Sequence, residues 1–307
     1  MPIGHRRITG GGCTFREVIV VNRSISTLAG RSRKLDGGAL FGSTPRRAWS
    51  DWFCPDHDNQ VELATRGLLV QQGRMNILIL AGTDALLAPP PRSCRCQRPA
   101  FGLLDSLAQQ GLDEGDIHAV LLTHLHAVLP RDVQDAVRDG DTPRLLFPAA
   151  RYLTGRRHWL RARHPHPRDR ALFIPQIIRQ LEHSDRLLLL EEGGSELLGQ
   201  DWRFHVSDGY TPGQLLPEID MPGGPIVFAG DLVPATQWLR LDLTTAFDRN
   251  PESLVDEKER LLDHLVASGG RLLLARDPEV AMIKVLRDRQ SRYQAFDQHA
   301  ELHRLDS

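Results

Sequence analysis

The sequence predicts a layered fold in which β-sheets are covered by helices, α/β or layered α+β. Three observations carry this. Short β-branched or leucine-rich runs alternate with helical periodicity along the whole chain. No Gly/Pro/Ser-rich linker divides it, and its 307 residues suffice for one large domain. One domain spanning 1–307 is therefore expected. The 41% hydrophobic and 25% charged content is that of an ordinary globular protein.

Taken in order, Glu17–Val21 reads as a first strand, and Arg66–Gln71 and Met75–Leu80 as a hairpin around Gln72-Gly73-Arg74. Pro89-Pro90-Pro91 stiffens a loop. Phe101, Leu104 and Leu107 recur at helical spacing within Ala100–Gln110, and Gly111 ends that helix. His118–Leu122 is a short buried strand, and Pro130 is placed to open a helix. Arg151–Leu181 reads as mainly helical, with Arg156, Arg157, Arg161 and Arg163 on a solvated face. Leu187–Leu190, Arg203–Val206 and Ile226–Ala229 are strands, and Glu252–Val266 is an amphipathic helix. Arg271–Ala275 reads as a strand and Glu279–Arg287 as a final helix.

Net charge is −1, which argues against a general nucleic-acid or anionic-membrane binder. Nearly all cations are arginine, with lysine only at 34, 258 and 284. No run approaches the length of a membrane span, and Met1–Arg7 is not followed by a signal core, so a cytoplasmic protein is expected. Cys13, Cys54, Cys94 and Cys96 do not make a disulfide framework; Cys94 and Cys96 read as two loop thiols.

Chemistry concentrates in Thr123-His124-Leu125-His126-Ala127-Val128-Leu129, where a strand ends in two histidines one residue apart. Such a pair projects both imidazoles to one side, suiting either two facing metal ligands or two solvated loop residues. Taken with its context, this stretch resembles the T-H-x-H-x-D-H motif of the metallo-β-lactamase superfamily. Leu35–Gly42 (LDGGALFG) resembles an early segment of its lactonase-like branch. Gly209-Tyr210-Thr211-Pro212-Gly213-Gln214 is similar to the G-H-T-P-G-H turn, Gly230-Asp231 to the G-D pair, and Ala275-Arg276-Asp277-Pro278 to the late H-D-P. The resemblance implies an α+β fold, a four-layer αββα sandwich with its site along one edge.

It also implies where the metal ligands should be. His124, His126 and Asp231 match ligand positions. Val128, Leu129, Tyr210 and Arg276 stand where the family has ligands, and Ala81-Gly82-Thr83 stands for its D-T-G. Valine and leucine have no lone pair, and a guanidinium cannot coordinate a cation. The reading that follows is a degenerate member without dinuclear hydrolase activity and without a resident cofactor. It would bind a small molecule or a protein partner through the inherited cleft.

The alternative is a mononuclear hydrolase of an ester or lactone. It would hold one zinc or iron on His124, His126 and Asp231, with Tyr210 donating to an oxyanion. A third reading is an assembly subunit, as a homodimer or with an active relative. Arg276 is expected to reach inward to Asp231, rather than outward to Asp277 or solvent. Trp238 is read as a packing residue that narrows the cleft. Arg168 and Asp169, within the His164–Arg170 cluster, read as structural. Ser207-Asp208 lies beside Tyr210 without a nucleophile-elbow pattern.

Overall fold

The computed structural model describes residues 22–83, 86–88, 102–127, 144–191 and 193–307. Glu17–Val21, Pro89–Pro91, Cys13, Cys94, Cys96, Val128, Leu129 and Pro130 lie outside the described residues.

Strands are β1 (Arg23–Ala29), β2 (Arg33–Asp36), β3 (Gln60–Leu63), β4 (Arg66–Gln72), β5 (Met75–Leu80), β6 (Leu87–Ala88), β7 (Ala119–Leu122), β8 (Arg144–Leu145) and β9 (Arg151–Gly155). They continue with β10 (Leu187–Leu190), β11 (Trp202–Ser207), β12 (Gln214–Ile219), β13 (Ile226–Phe228), β14 (Arg271–Leu273), β15 (Met282–Arg287), β16 (Tyr293–His299) and β17 (Leu305–Asp306). Helices are α1 (Gly37–Phe41), α2 (Arg46–Trp49), α3 (Gly102–Gln109), α4 (Arg156–Arg163), α5 (Pro175–His183) and α6 (Pro251–Ser268).

A seven-stranded sheet, β10-β9-β7-β5-β4-β1-β17, faces a six-stranded sheet, β11-β12-β13-β14-β15-β16. Alternation along the strands explains the layers. Ile77 and Ile79 on β5 and Leu121 on β7 enter the core between the sheets, where they share a cluster with Phe228, Leu273 and Met282. Their neighbours Leu78, Leu80 and Leu122 face outward and meet Trp159 of α4 and Ile177 and Leu181 of α5. On the other side, Leu216, Val227 and Leu272 meet Leu254, Leu261 and Leu265 of α6. The result is the αββα sandwich expected. Strands buried on both faces read as continuous apolar runs, which is why β5 and β7 lack a polar alternation.

The hairpin, α3, β7, β10, β11 and β13 fall where the sequence places them, within a residue or two. Helix α6 is bounded as its residues demand. Asn250 accepts a hydrogen bond from the Ser253 N–H, Pro251 opens the first turn, and Gly269 closes the helix at φ 64°.

Two expectations are corrected and one unassigned strand is added. Glu279–Arg287 is not a helix: Met282–Arg287 is strand β15, antiparallel to β14 and β16. Arg151–Leu181 is not helical throughout, because Arg151–Gly155 forms β9, parallel to β7 and β10. Gln214–Ile219, unassigned from sequence, is the fully buried β12, whose Pro217 pairs opposite Phe204. Strand pairing decides all three and outweighs local periodicity: β9 through partners distant in the chain, β12 and β15 through adjacent antiparallel strands.

Candidate metal centre

Four connections converge at one edge of the sandwich: the residues after β7, the turn between β11 and β12, and those after β13 and β14. They bring His124 and His126, Tyr210, Asp231, and Arg276 together around about 20 Å³ of open space, also lined by Arg33, Leu35, Leu172 and Phe247. That is room for about one water, not for a small organic ligand.

Arg276 is 2% exposed and points inward. Its Nε donates to Asp231 Oδ1 at 2.8 Å. Its Nη2 donates to Asp231 Oδ2 at 3.3 Å and to the Ala81 carbonyl at 2.6 Å. This is the two-pronged fork that arginine makes with a carboxylate. The outward alternative is closed because Asp277 is engaged elsewhere. It accepts from the Thr236 N–H and hydroxyl on one oxygen and from the Glu279 and Val280 N–H groups on the other.

The His124 Nε2 lies 3.2 Å from Asp231 Oδ2, and its Nδ1 lies 2.9 Å from the Thr123 hydroxyl. A carboxylate only accepts, so this pairing suits an Nε2–H donor, with the Thr123 hydroxyl donating to Nδ1. Burial alone would raise the Asp231 carboxyl. The Arg276 charge and the His124 contact overrule it and hold the group well below the usual carboxylate range. Burial, then the Asp231 charge, push the Tyr210 phenol well above its ordinary value, so it stays a donor.

His126 sits 3.4 Å from both the Tyr210 and Thr211 hydroxyls and packs edge-on against Phe173. Burial, followed by the repulsion that His124 or His158 would exert if charged, holds its pKa well below normal, so it is neutral. His158, on the inner face of α4, was not singled out from the sequence. Its Nε2 accepts from the Leu125 N–H and its Nδ1 donates to the Pro212 carbonyl, tying the histidine loop to the Thr211-Pro212-Gly213 turn. The two partners fix its tautomer, and burial lowers it to about 3. Its only trace in the sequence is that His158, Trp159 and Ala162 form the non-arginine face of an arginine-rich helix.

The turn itself is anchored from α6. The Glu257 carboxylate accepts from the Ser207 hydroxyl and from the Asp208 and Gly209 N–H groups. Gly209 has no side chain because a Cβ there would meet the Leu254 backbone at 2.4 Å. Ser207 and Asp208 are thus absorbed by structure, as is Asp169, which pairs with Arg161. Arg168 donates to the Ala246 and Asp248 carbonyls.

Trp238 requires a correction. It does not line the space; it is 1% exposed in the core, stacked on Phe41 at 5.1 Å and edge-on to Phe53. The 3-10 turn Thr236–Leu239 carries it away from Asp231, and Leu172 and Phe247 supply the apolar wall instead.

The donor set does not fit a two-metal centre. Arg276 and Tyr210 stand where the sequence resemblance implies ligands, a guanidinium cannot coordinate a cation, and Val128 and Leu129 have no lone pair. Among the described residues, the one group of three His, Cys, Asp or Glu whose ligand atoms all lie within 4.8 Å of each other is His205, Glu218 and His264, elsewhere in the molecule.

Asp248, behind the centre, offers a pH signature. Burial lifts its carboxyl to about 6, against hydrogen bonds from the Thr245 N–H and hydroxyl. A raised carboxyl favours the protonated folded state. Its contribution is therefore fully present below the unfolded value near 3.8 and is lost as pH rises through about 6. Urea unfolding should show wild type losing on the order of 2 kcal/mol relative to Asp248→Asn between pH 4 and 7. A pH-independent difference between the two proteins contradicts this assignment.

Residues 140–270 match the family model of the metallo-beta-lactamase superfamily. No curated protein matches the chain in sequence. Among solved structures, the fold is similar to a probable metal-dependent hydrolase from Staphylococcus aureus (25% identity, TM-score 0.71, covering 90% of this chain and 97% of that one). It is also similar to AidC, a dizinc quorum-quenching lactonase (17% identity, TM-score 0.67, 89% and 94%). The hydrolase AbOPH of the beta-lactamase superfamily is comparable (21% identity, TM-score 0.67, 90% and 94%).

Proposed function

The chain is a metallo-β-lactamase-fold protein, and we propose that it does not run the dinuclear hydrolysis of that fold but serves as a binding protein for a protein partner. The small-molecule alternative is disfavoured because the edge has room for about one water. Its family and its structural neighbours are metal-dependent hydrolases, and that reaction needs a cation to polarise substrate and to acidify water. The observation that carries the proposal is the buried Arg276–Asp231 pair, with Nε 2.8 Å from Oδ1. A guanidinium neutralises the carboxylate that would bridge two metals. The neutral pair forfeits the attraction that a free carboxylate would offer a dication, about 8 kcal/mol at 4 Å for an effective dielectric constant near 20. No Ser-His-Asp or Cys-His arrangement stands in for the metals among the described residues of the edge.

A second reading is a mononuclear hydrolase of an ester or lactone. It is favoured by His126, held neutral with its lone pair available, and by Tyr210, held as a donor. It requires Arg276 to leave Asp231.

The test is metal content by mass spectrometry on protein purified without chelator, with zinc, iron and manganese supplied, compared between wild type and His124→Ala. The proposal expects no metal that depends on His124. About one ion per chain lost in His124→Ala would replace it with the mononuclear reading, and lactone and ester turnover would then be screened.

A further inference from the structure

Two further histidines meet a buried carboxylate away from the edge. His205 on β11, Glu218 on β12 and His264 on α6 meet on the outer face of the six-stranded sheet. The register pairs Arg203 with Glu218 and His205 with Leu216, so Glu218 lies diagonal to His205 on the same face. His264 approaches the same carboxylate from the helix that covers it.

The His205 and His264 Nε2 atoms lie 2.6 and 2.7 Å from one oxygen, Oε2 of Glu218. The imidazoles are a third exposed, while Glu218 is 1% exposed. Its other oxygen, Oε1, accepts from Arg203 at 3.0 Å, and Arg203 is itself balanced by Asp220.

We propose that His205, Glu218 and His264 form a metal site for a zinc-class divalent ion, distinct from the edge centre. Two imidazole nitrogens and a carboxylate oxygen are donors that zinc takes, and three protein ligands leave a fourth position open to water or a ligand. Tetrahedral bonds of about 2.0–2.1 Å place ligand atoms roughly 3.3 Å apart. Each ring therefore needs to withdraw from Oε2 by well under 1 Å, which partly exposed side chains can do. Each Nε2 now points its N–H at Oε2, so taking up an ion exchanges those protons for the metal. Burial and the Arg203 bond fix the orientation of Glu218, so the ion would meet a rigid ligand from the sheet and two adjustable ones. Bound there, it would pin α6 to β11 and β12, and α6 carries Glu257, the anchor of the Tyr210 turn.

The test uses the full chain, stripped with EDTA and desalted, titrated with zinc by calorimetry and with cobalt by absorption. One zinc per chain and cobalt bands of a four-coordinate site are expected. Binding should weaken at least about 100-fold in His205→Ala and in His264→Ala, since loss of even an outer partner of a ligand costs 10–100-fold. It should be unchanged in His124→Ala. Circular dichroism of the metal-free variants confirms folding, and Glu218→Gln, of the same shape, provides a third variant. No zinc bound by wild type, or equal binding in His264→Ala, overturns the site and leaves a hydrogen-bonded triad. Zinc lost only in His124→Ala assigns the ion to the edge centre instead and also overturns it.

Discussion

Replacing Arg276 with alanine should lower stability by about 3–5 kcal/mol, because it strands the Asp231 carboxylate in a buried place. At roughly 2–4 °C per kcal/mol for a domain of this size class, the thermal midpoint should fall on the order of 10 °C. The direction follows from the geometry: Asp231 is 8% exposed and its two oxygens share the guanidinium fork. Arg276 also satisfies the Ala81 carbonyl at the end of β5, which belongs to the opposite sheet. Asp231→Ala alone should be damaging too, since it strands the cation. The double variant Arg276→Ala with Asp231→Ala should be less destabilised than the sum of the two, with a coupling of at least about 2 kcal/mol. An unchanged midpoint for Arg276→Ala would sink the account of the pair as a replacement for the metal.

Trp238→Ala should cost about as much, 3–5 kcal/mol, for a different reason. Here the loss is packing. Trp238 fills a space bounded by the rings of Phe41 and Phe53, and Phe41 in turn stacks on Trp49 at 4.9 Å. The indole N–H has no hydrogen-bond partner among the described residues, so Trp238→Phe gives up area but no polar contact. It should cost less than half of the alanine change. Equal losses for the two variants, read by urea unfolding, would mean that the indole makes a polar contact after all.

Much of the site was legible because its residues stand at the ends of strands that announce themselves. Leu121-Leu122-Thr123 and Val227-Phe228 are apolar runs that stop at His124 and Gly230-Asp231, so the topology that brings them together comes with the fold. The pairing of Arg276 follows from charge: a buried Asp231 needs a cation, and Arg276 is the one delivered there by the neighbouring parallel strand. Trp238 and His158 were harder. Nothing in a one-dimensional pattern says whether a tryptophan after the Gly-Asp pair turns toward the site or the core. His158 is invisible because its role is to bridge two backbones, Leu125 and Pro212, far apart in the chain.

The end of the chain failed for another reason. In Val280–Arg287, apolar residues at both period-two and helical spacing let either structure bury a face. What decides is the hairpin with β16, whose turn is closed by Asp288 accepting from the Gln290 and Arg292 N–H groups. The zinc-class triad escaped notice because His205, Glu218 and His264 share no local motif.

The Arg276 fork also shapes which mutational steps are open to this protein. On the reading proposed above, a bridging metal at Asp231 requires the arginine to go, and its loss alone leaves the buried Asp231 with His124 but without a guanidinium. A second ion would not be held at that moment, because Tyr210, Val128 and Leu129 offer no imidazole or carboxylate; a single ion on His124, His126 and Asp231 is the compensation open to it. Every path that begins at residue 276 therefore trades the ion pair for at most one ion before a two-metal centre can form. A path beginning at Tyr210→His keeps the ion pair intact while donors accumulate around it. The order of substitutions, rather than their number, would decide whether the centre can be rebuilt, and the guanidinium acts as a ratchet against the direct route.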